Sequence, residues 1–446
     1  MKRALWHQMN EWAEKEPISM HVPGHKNGMI GNMSFLQAKY DVTEITGFDD
    51  LHQPEGVLKE SMTCVTRHPD YDAFYLVNGT TSGILSVIHA FQLLEGDVVL
   101  ARNVHKSVFN ALDLGGQQAT ILPTIVDEQS SQYIQPDMTH GQQSSGKLGV
   151  VTYPNYYGQT FDIKETIQHF HENHCPVLVD EAHGAHFDLE GFPVSSLNFG
   201  ADFVVQSFHK TLPSLTMSSV LFIHKDAPQR DKVIRLLQTF QSSSPSYLLM
   251  ASLETANDFY EGYESQLFFE RRQQLLDALS KCGLSFKEMN DPLKLLIYRP
   301  GMSGDTLQQV MESVGIYVEL SDSHHVLWVL PLWHKGDAYP FEDLITRIHH
   351  MTFTESMTDT QSMQQALYTG SGRYEPQHIT HSYWLPFEKA EGKVLAQHLV
   401  LYPPGIPSML KGEKITKSMI KLIAKCYQSQ LRVEGLQDGK IKVKDD

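Results

Sequence analysis

The sequence has few cysteines and no long apolar run. Its four cysteines among 446 residues are far apart and form no Cys-x-x-Cys pair, which fits a reduced compartment best. No stretch approaches the roughly 18 apolar residues that a membrane helix needs. The opening segment MKRALWHQMNEWAEKE lacks the apolar centre of a signal peptide. These absences predict a cytoplasmic protein that does not use a membrane as a partner.

Positive charge is also scarce. The chain has 36 lysines and arginines against 52 aspartates and glutamates, a formal net charge of -16 at pH 7. This excess of negative charge argues against nucleic acid or an anionic membrane as a partner. It suits a cationic substrate, although plain solubility explains it equally well. The 41% of hydrophobic residues and 20% of charged residues are typical of a globular enzyme, and the length allows two or three domains.

Short apolar runs alternate with helical patterns between residues 71 and 224. The predicted strands are AFYLV (73–77), DVVLA (97–101), ATILP (119–123), LGVVTY (148–153), PVLVD (176–180), FVVQS (203–207) and VLFIH (220–224). Continuous apolar strands separated by helices indicate a mainly parallel sheet that is covered on both faces. The sequence therefore predicts a doubly wound α/β domain, in which ligands bind at the carboxyl ends of the strands.

The pattern divides the chain into four parts. We expect an N-terminal arm over residues 1–70, a large sheet domain over 71–262, a smaller α+β domain over 263–353 and a C-terminal unit over 366–446. A long helix over 246–263 leaves the large domain, and the polar segment 354–365 is typical of a linker. The C-terminal unit contains YPPGIP (402–407), which predicts a proline-stiffened turn, and a helix over 416–430.

Two predicted strands end in residues that suit pyridoxal phosphate (PLP). VLVDEAHGAH places Asp180 at a strand end, and VVQSFHK places Ser207, His209 and Lys210 after a later strand. A lysine can hold the PLP aldehyde as a Schiff base, and a carboxylate keeps the pyridine nitrogen protonated so that the ring accepts electrons. A buried aspartate or a strand-end lysine, taken alone, is more often part of a structural ion pair.

The segment NGTTSG (78–83) follows the strand 73–77 and opens a predicted helix. Backbone N–H groups at a helix start, together with hydroxyls of Thr80, Thr81 and Ser82, form a suitable cradle for a phosphate dianion. Threonine and serine are also ordinary helix caps, so this segment alone does not decide between the two roles.

In order along the chain, the motifs resemble those of the Orn/Lys/Arg decarboxylase family. They are HVPGHK, DDLHQPEG, LVNGTTSG, RNVHKS, VDEAHGAHF, VVQSFHKTLP, SSSPSYLLMASLE and YPPGIP. The resemblance covers nearly the whole chain, is weakest between about residues 300 and 389, and is closest to the short members without a preceding wing domain. It implies an aspartate aminotransferase-like, fold-type-I PLP enzyme that converts arginine, lysine or ornithine to agmatine, cadaverine or putrescine, as in polyamine metabolism.

The resemblance also implies roles for individual residues. Lys210 would hold the cofactor, Asp180 would pair with the pyridine nitrogen and His105 would stack on the ring. Ala182 would pack against the ring, and His183 and His186 would form walls of the pocket; we expect no metal site, because no third ligand is apparent beside the two histidines. The implied phosphate-binding set is Gly79, Thr80, Thr81, Ser82, Ser207 and His209.

The family pairs its subunits, so we expect a homodimer or higher homo-oligomer with active sites at the subunit boundary. HVPGHK and DDLHQPEG are polar and lack the periodicity of a core element. We therefore expect them to cross to a neighbouring subunit rather than pack on their own chain. Asp49, Asp50 and Glu55 would then be candidates for binding a cationic substrate side chain.

Other functions fit parts of the sequence. DEAH matches an ATPase box and GQQSSGK (141–147) approaches a phosphate-binding loop, but Leu148 stands where magnesium needs a hydroxyl, and the loop precedes a strand. An aminotransferase or another fold-type-I lyase would share the aspartate, the lysine and the phosphate cradle. A binding protein without chemistry is disfavoured because the expected cofactor residues are all present. Gln397, where many family members have a glutamate, bears on substrate choice.

Overall fold

The computed structural model describes residues 14–21, 23–32, 36, 40–127, 132–138, 146–353, 371–376, 379–401, 405–428 and 433–445. The segment 141–145 of GQQSSGK, the predicted linker over 354–365 and the first residues of YPPGIP (402–404) lie outside this part of the chain.

An eight-stranded sheet forms the centre of the large domain, in the order β16 (Gly372–Tyr374), β4 (Ala119–Leu122), β3 (Val98–Ala101), β7 (Leu148–Thr152), β8 (Val177–Asp180), β9 (Phe203–Gln206), β10 (Ser219–His224) and β2 (Tyr71–Leu76). Strands β4, β3, β7, β8 and β9 are parallel to their neighbours in this row, whereas β10 runs antiparallel to β9 and β2, and β16 antiparallel to β4. The predicted α/β class with a mainly parallel sheet is confirmed.

Both faces of this sheet are buried, as the continuous apolar strands predict. Val177 and Val179 of β8 face one hydrophobic core, and Leu178 between them faces the other. The helices of the large domain, with the arm helix that precedes them, are Val57–Thr63, Gly79–Ala90, Lys106–Gly115, Ile163–Glu172, Phe208–Thr211, Arg230–Phe240 and Tyr247–Glu261. The helix that NGTTSG is predicted to open begins at Gly79, so the residues after Asn78 form its first turn.

The smaller domain is a four-stranded antiparallel sheet in the order β11-β12-β15-β14. Its strands are β11 (Ser285–Glu288), β12 (Lys294–Tyr298), β14 (Leu320–Ser321) and β15 (Val326–Val329), and its helices are Gln266–Lys281, Gly304–Ser313 and Phe341–His349. Strand β1 (Ile18–Met20) of the arm pairs in parallel with β13 (Ile316–Val318) of this domain. The arm is thus attached to its own chain.

The C-terminal unit has a separate hydrophobic core, to which Leu395, Ile423 and Val443 belong. Its strands are β17 (Ser382–Pro386), β18 (Leu399–Leu401), β19 (Ile406–Met409), β20 (Val433–Glu434), β21 (Leu436–Gln437) and β22 (Lys440–Lys444), and its helix is Lys417–Gln428. A short strand before this unit, β16 (Gly372–Tyr374), completes the edge of the large sheet. In the large domain, β5 (Thr124–Asp127) and β6 (Gln132–Pro136) form a separate hairpin.

Candidate active site

Lys210 lies on a four-residue helix that begins directly after β9. Its Nζ is 3.0 Å from Nε2 of His183. Burial lowers the pKa of Lys210 to about 8, with Asp180 acting in the opposite direction and Lys294 adding to the decrease. Near neutral pH, such a lysine has a much larger neutral fraction than a free lysine, and an amine must be neutral to attack an aldehyde.

Asp180 is the last residue of β8 and is 5% exposed. Because β8 and β9 are paired in parallel, with Asp180 opposite Val205, Asp180 and Lys210 lie at the same edge of the sheet. Burial raises the pKa of the Asp180 carboxyl, whereas Lys210 and the N–H of Ala182, 3.2 Å from Oδ1, lower it. A cationic group beside Asp180 would stabilise its charged form.

The helix Gly79–Ala90 begins near Lys210 and brings two predicted phosphate ligands together. Gly79 has a φ of 74°, which a residue with a Cβ adopts only with strain, and this turn starts the helix. Oγ of Ser207 lies 3.4 Å from Oγ1 of Thr80. Thr81 is exposed, and the hydroxyl of Ser82 donates to the carbonyl of Gly79 at 2.9 Å. The hydroxyls of Thr80 and Ser207 are therefore adjacent, whereas the Ser82 hydroxyl is already hydrogen-bonded within its own helix.

Two histidines of the predicted site are neutral. His105 precedes the helix Lys106–Gly115, and burial together with the charge of Lys210 lowers its pKa to about 3. Burial lowers the pKa of His209 to about 4, and its Nδ1 donates to the carbonyl of Ser218 at 2.9 Å. In that tautomer, Nε2 of His209 carries no proton. His209 would have to take up a proton before it could donate to a phosphate.

His183 lies inside a cluster that the sequence did not reveal. It is 6% exposed, and its Nδ1 is 3.3 Å from Nζ of Lys294, which is fully buried at the start of β12. The ring of Tyr156 packs edge-on against His183, with centroids 4.6 Å apart, and the Tyr156 hydroxyl donates to Glu319. The only local signal for Lys294 was a charged residue at the start of the apolar strand LKLLIYR.

His186 and Glu181 have structural partners. Nε2 of His186 lies 2.9 Å from Oδ1 of Asp291, and both side chains are fully buried. His186 therefore joins the large domain to the loop before β12 and does not line the pocket beside Lys210 as His183 does. Glu181 is also fully buried and accepts hydrogen bonds from Ser195, Ser196 and Gln206, which gives the glutamate of DEAH a role in the core.

The prediction that HVPGHK packs on a neighbouring subunit instead of its own chain is wrong. The N–H of Gly24 donates to the carbonyl of His209 at 2.8 Å. A Cβ at Gly24 would lie 2.5 Å from the carbonyl oxygen of Leu212, so the close approach requires glycine. Lys26 is 1% exposed, and its Nζ donates to the carbonyls of His21 and Val329 at 2.5 and 2.8 Å. The Lys26 amine is hydrogen-bonded to carbonyls, and burial lowers its pKa to about 7, which the polar sequence pattern could not show.

The acidic residues of DDLHQPEG are also bound locally. The carboxylate of Asp49 accepts the N–H groups of Glu55, Gly56 and Leu58 at 2.8–2.9 Å, which lowers its pKa and fixes the start of the helix Val57–Thr63. Asp49 therefore has a local capping role, and a substrate role for it stays a prediction. Oδ1 of Asp50 accepts the N–H of His52 at 2.8 Å, and the side chain of Glu55 is exposed. A substrate role for Asp50 or Glu55 stays a prediction.

The C-terminal unit reaches the same edge of the sheet. The N–H of Lys106, next to His105, donates to the carbonyl of Gly405 at 3.0 Å. Nη2 of Arg102, whose side chain is 2% exposed, lies 3.0 Å from Oε1 of Glu413. RNVHKS of the large domain therefore contacts the second half of YPPGIP, in the C-terminal unit, beside the candidate site.

The donor set fits PLP. A buried carboxylate and a lysine of lowered pKa stand at neighbouring strand ends, and a helix start with two adjacent hydroxyls lies beside them. In the part of the chain that the structure describes, no group of three or more His, Cys, Asp or Glu side chains is arranged to hold a metal ion. Across the same residues, no helix has the length and apolar character needed to span a membrane.

Comparison with known proteins agrees with the motifs. Residues 4–279 match the major domain of the Orn/Lys/Arg decarboxylases, and residues 355–438 match their C-terminal domain. The chain is 37% identical to the protein "Uncharacterized protein YaaO" of Bacillus subtilis over 100% of this chain and 98% of that protein. It is 28% identical to an arginine decarboxylase of Bacillus subtilis over 98% and 96% of the two chains.

A solved structure shares the fold. Lysine decarboxylase A from Pseudomonas aeruginosa superposes with a TM-score of 0.69 at 15% identity, over 91% of this chain and 74% of that one. This likeness confirms the predicted fold class. The two matched domains and the relative that is similar over its full length confirm the resemblance that the motifs carry, and the chain belongs to the Orn/Lys/Arg decarboxylase family.

Proposed function

We propose that this protein is a PLP-dependent decarboxylase of a basic amino acid. The observation that carries the proposal is the placement of Asp180 and Lys210 at the ends of the neighbouring parallel strands β8 and β9, with the Lys210 amine partly neutral. When bound, PLP supplies an electron sink for the charge left on Cα as CO₂ departs. Asp180 would hold the pyridine nitrogen protonated, and Thr80 and Ser207 would bind the phosphate.

The residues around Lys210 have separate tasks in this proposal. Lys210 carries the cofactor and later moves a proton at its Nζ. The neutral ring of His105 offers a flat, uncharged surface beside Lys210. A neutral surface there leaves the leaving carboxylate poorly stabilised, which favours its loss as CO₂ over its retention.

For the substrate we propose arginine first, then lysine or ornithine. The relatives whose names include a substrate and that align along at least 92% of this chain are named arginine decarboxylases, at 27–29% identity. A relative named lysine decarboxylase LdcA aligns over 56% of this chain. The net charge of -16 also favours attraction of a cationic substrate.

The test of substrate and reaction uses the purified, PLP-supplemented protein. It is incubated separately with L-arginine, L-lysine and L-ornithine, and the products are identified by mass spectrometry. We expect agmatine with release of CO₂ from arginine, and no product from Lys210→Ala. Cadaverine or putrescine instead would correct the substrate, whereas a 2-oxo acid would favour the aminotransferase alternative. No CO₂ from any of the three would overturn the proposal.

The site of cofactor attachment is tested independently of turnover. We expect the loaded protein to absorb visible light and borohydride to fix the cofactor on Lys210. Peptide mapping distinguishes Lys210 from Lys26, Lys106 and Lys225, which are three further lysines that follow a histidine. Label on any of these three would refute the assignment of the strand end after β9.

We further propose a homodimer in which Leu36 and the segment 40–57 lie at the subunit boundary. Five large apolar side chains of these residues are 41–52% exposed in the single chain: Leu36, Tyr40, Ile45, Phe48 and Val57. Covering them with a second copy would remove much apolar surface from water. Light scattering of the purified protein should give twice the chain mass of 50.6 kDa, and Ile45→Asp with Phe48→Asp should shift it toward the monomer. A monomeric wild-type protein would contradict the proposal.

A further inference from the structure

The imidazole of His183 lies between two lysine amines. Nε2 is 3.0 Å from Nζ of Lys210, and Nδ1 is 3.3 Å from Nζ of Lys294. His183 is 6% exposed and Lys294 is fully buried, so water does not supply alternative partners for this pair. The edge-on ring of Tyr156 restricts rotation of the imidazole.

Donor and acceptor counting limits the protonation states of this cluster. A neutral imidazole has one N–H donor and one acceptor nitrogen, and an ammonium group has three donors and no acceptor. Burial and the charges of the two lysines hold the pKa of His183 well below its usual range, so the ring is neutral. Only one lysine can donate to the ring. The other can bind the ring N–H only as a neutral amine.

We propose that Lys294 sets the protonation state of Lys210 through His183, so that the three side chains share one proton between the two amines. In one arrangement, the Lys294 ammonium donates to Nδ1, and the Nε2–H of His183 donates to a neutral Lys210. In the other arrangement, the Lys210 ammonium donates to Nε2, and Nδ1–H donates to a neutral Lys294. Lys294 is a positioning residue in this scheme, because its hydrogen-bonded link to Lys210 runs through His183, although its charge also acts on Lys210 directly.

The two arrangements differ by a balanced proton transfer. A proton leaves Nζ of Lys294 for Nδ1 as the Nε2 proton of His183 moves to Nζ of Lys210. One positive charge passes from Lys294 to Lys210, and the imidazole remains neutral throughout. The inference rests on the proposed function of Lys210 as the cofactor lysine, and it identifies how that amine is kept neutral for attachment and later supplied with a proton.

Charged groups from several elements bias the two arrangements. Asp180 and Glu319 favour charge on Lys210, and Asp291 and Glu319 favour charge on Lys294. Among the described residues, His105 and His209 also lower the pKa of His183, and Lys26 is coupled to the cluster because its pKa is lowered by burial and further by Lys294.

The stem of Lys294 is fixed in place. A Cβ built on Gly158 would lie 2.4 Å from Cγ of Lys294, and the φ of Gly158 is 82°. The backbone N–H of Lys294 donates to the carbonyl of Asp291 at 3.0 Å. These contacts hold the amine next to Nδ1.

The test measures the titration of Lys210 in the cofactor-free protein. Acetic anhydride acetylates a lysine only in its neutral amine form, so the pH dependence of Lys210 acetylation, followed by mass spectrometry, gives its midpoint. Lys294→Met and Lys294→Gln remove the charge, so Lys210 keeps the shared proton, and we expect its midpoint to rise by about 1 pH unit or more. Lys294→Arg keeps a permanent charge, so the midpoint should stay at the wild-type value or fall.

Lys26→Met is the matched control. Lys26 is an equally buried lysine near Lys294, but it donates to carbonyl oxygens and not to His183. We expect it to change the Lys210 midpoint by less than half of the Lys294→Met shift. Equal midpoints in all variants, or shifts in the same direction for Lys294→Met and Lys294→Arg, would overturn the inference.

Loss of the thermal transition would show that a variant fails to fold. The wild-type titration of Lys210 still tests the shared proton in that case. A wild-type Lys210 midpoint near that of a free lysine, about 10.4, would overturn the shared proton. Because no cofactor is present, this experiment is separate from the borohydride mapping. A label on another lysine would refute the proposed function, whereas the acetylation midpoints would still report on the coupling of Lys294 and Lys210.

Discussion

Glu413→Gln should loosen the C-terminal unit from the large domain. The carboxylate of Glu413 lies 3.0 and 3.1 Å from Nη2 of Arg102 and accepts the N–H of Leu410 at 2.7 Å. The side chain of Arg102 is 2% exposed and that of Glu413 is 25% exposed, so water screens the pair only in part. The amide keeps the shape of the carboxylate but removes the charge that stabilises the buried guanidinium.

The expected cost follows from this geometry. Removing one partner of a fully buried ion pair costs about 3–5 kcal/mol, and the partial exposure of Glu413 reduces this to about 2–3 kcal/mol. A loss of that size should increase amide hydrogen exchange at Lys106 by roughly 30-fold or more, because its N–H donates to Gly405 of the C-terminal unit. Turnover should fall as well, because His105 precedes Lys106.

Glu391→Gln provides the control. Glu391 lies 3.8 Å from Lys417, and these side chains are 54% and 80% exposed, so we expect a change below about 0.5 kcal/mol. Equilibrium unfolding and hydrogen exchange of both variants are compared with the wild type. Glu413→Gln behaving like Glu391→Gln in both measurements would refute the reasoning, because the Arg102 pair would then contribute nothing to docking.

Other substitutions address the site itself. Asp180→Asn should still bind PLP but lose turnover by roughly two orders of magnitude or more, measured as kcat with cofactor content checked by absorbance; a rate near the wild type would contradict the ring-nitrogen role. Thr80→Ala and Ser207→Ala should each weaken PLP affinity by about 1–3 kcal/mol in a titration of cofactor-free protein, and unchanged affinity would remove them from the phosphate site. Attachment of PLP to Lys210 should accelerate as pH rises through about 8, because the neutral amine is the reactive form, and Asp180→Asn should move this midpoint downward by removing a charge that raises the pKa; a pH-independent rate between 7 and 9 would contradict the lowered pKa. Gly24→Ala should lower the free energy of unfolding by about 1–3 kcal/mol in denaturant titration, since the new methyl group would lie 2.5 Å from a backbone oxygen, and full stability would show that the arm can move aside.

The arrangement of the large domain was predictable because its signal is local. Apolar strands separated by helical patterns require a sheet buried on both faces, and the strands lie within one or two residues of the predicted bounds. Residues that directly follow parallel strands meet at one edge of the sheet. The positions of Asp180 and Lys210 therefore followed from the sequence without any knowledge of side-chain contacts.

The arm shows where the pattern misled. Polar sequences such as HVPGHK suggest exposure, but Lys26 can be buried because backbone carbonyls of His21 and Val329 accept hydrogen bonds from its amine. Carbonyl oxygens are present at every residue, so the sequence pattern cannot show which of them will accept a lysine. The same applies to Asp49, whose carboxylate binds N–H groups of the turn that follows it.

By itself, the sequence determined the sheet, the strand-end lysine and aspartate and the helix start with its hydroxyls, since each depends on periodicity or on neighbours in the chain. Only the tertiary structure decided that Lys294 and Glu319 of the smaller domain join His183 and Lys210. It also decided that β16 completes the edge of the large sheet. Contacts between segments far apart in the chain depend on how whole domains pack, and a local pattern records that a residue will be buried but not which distant residue it will contact.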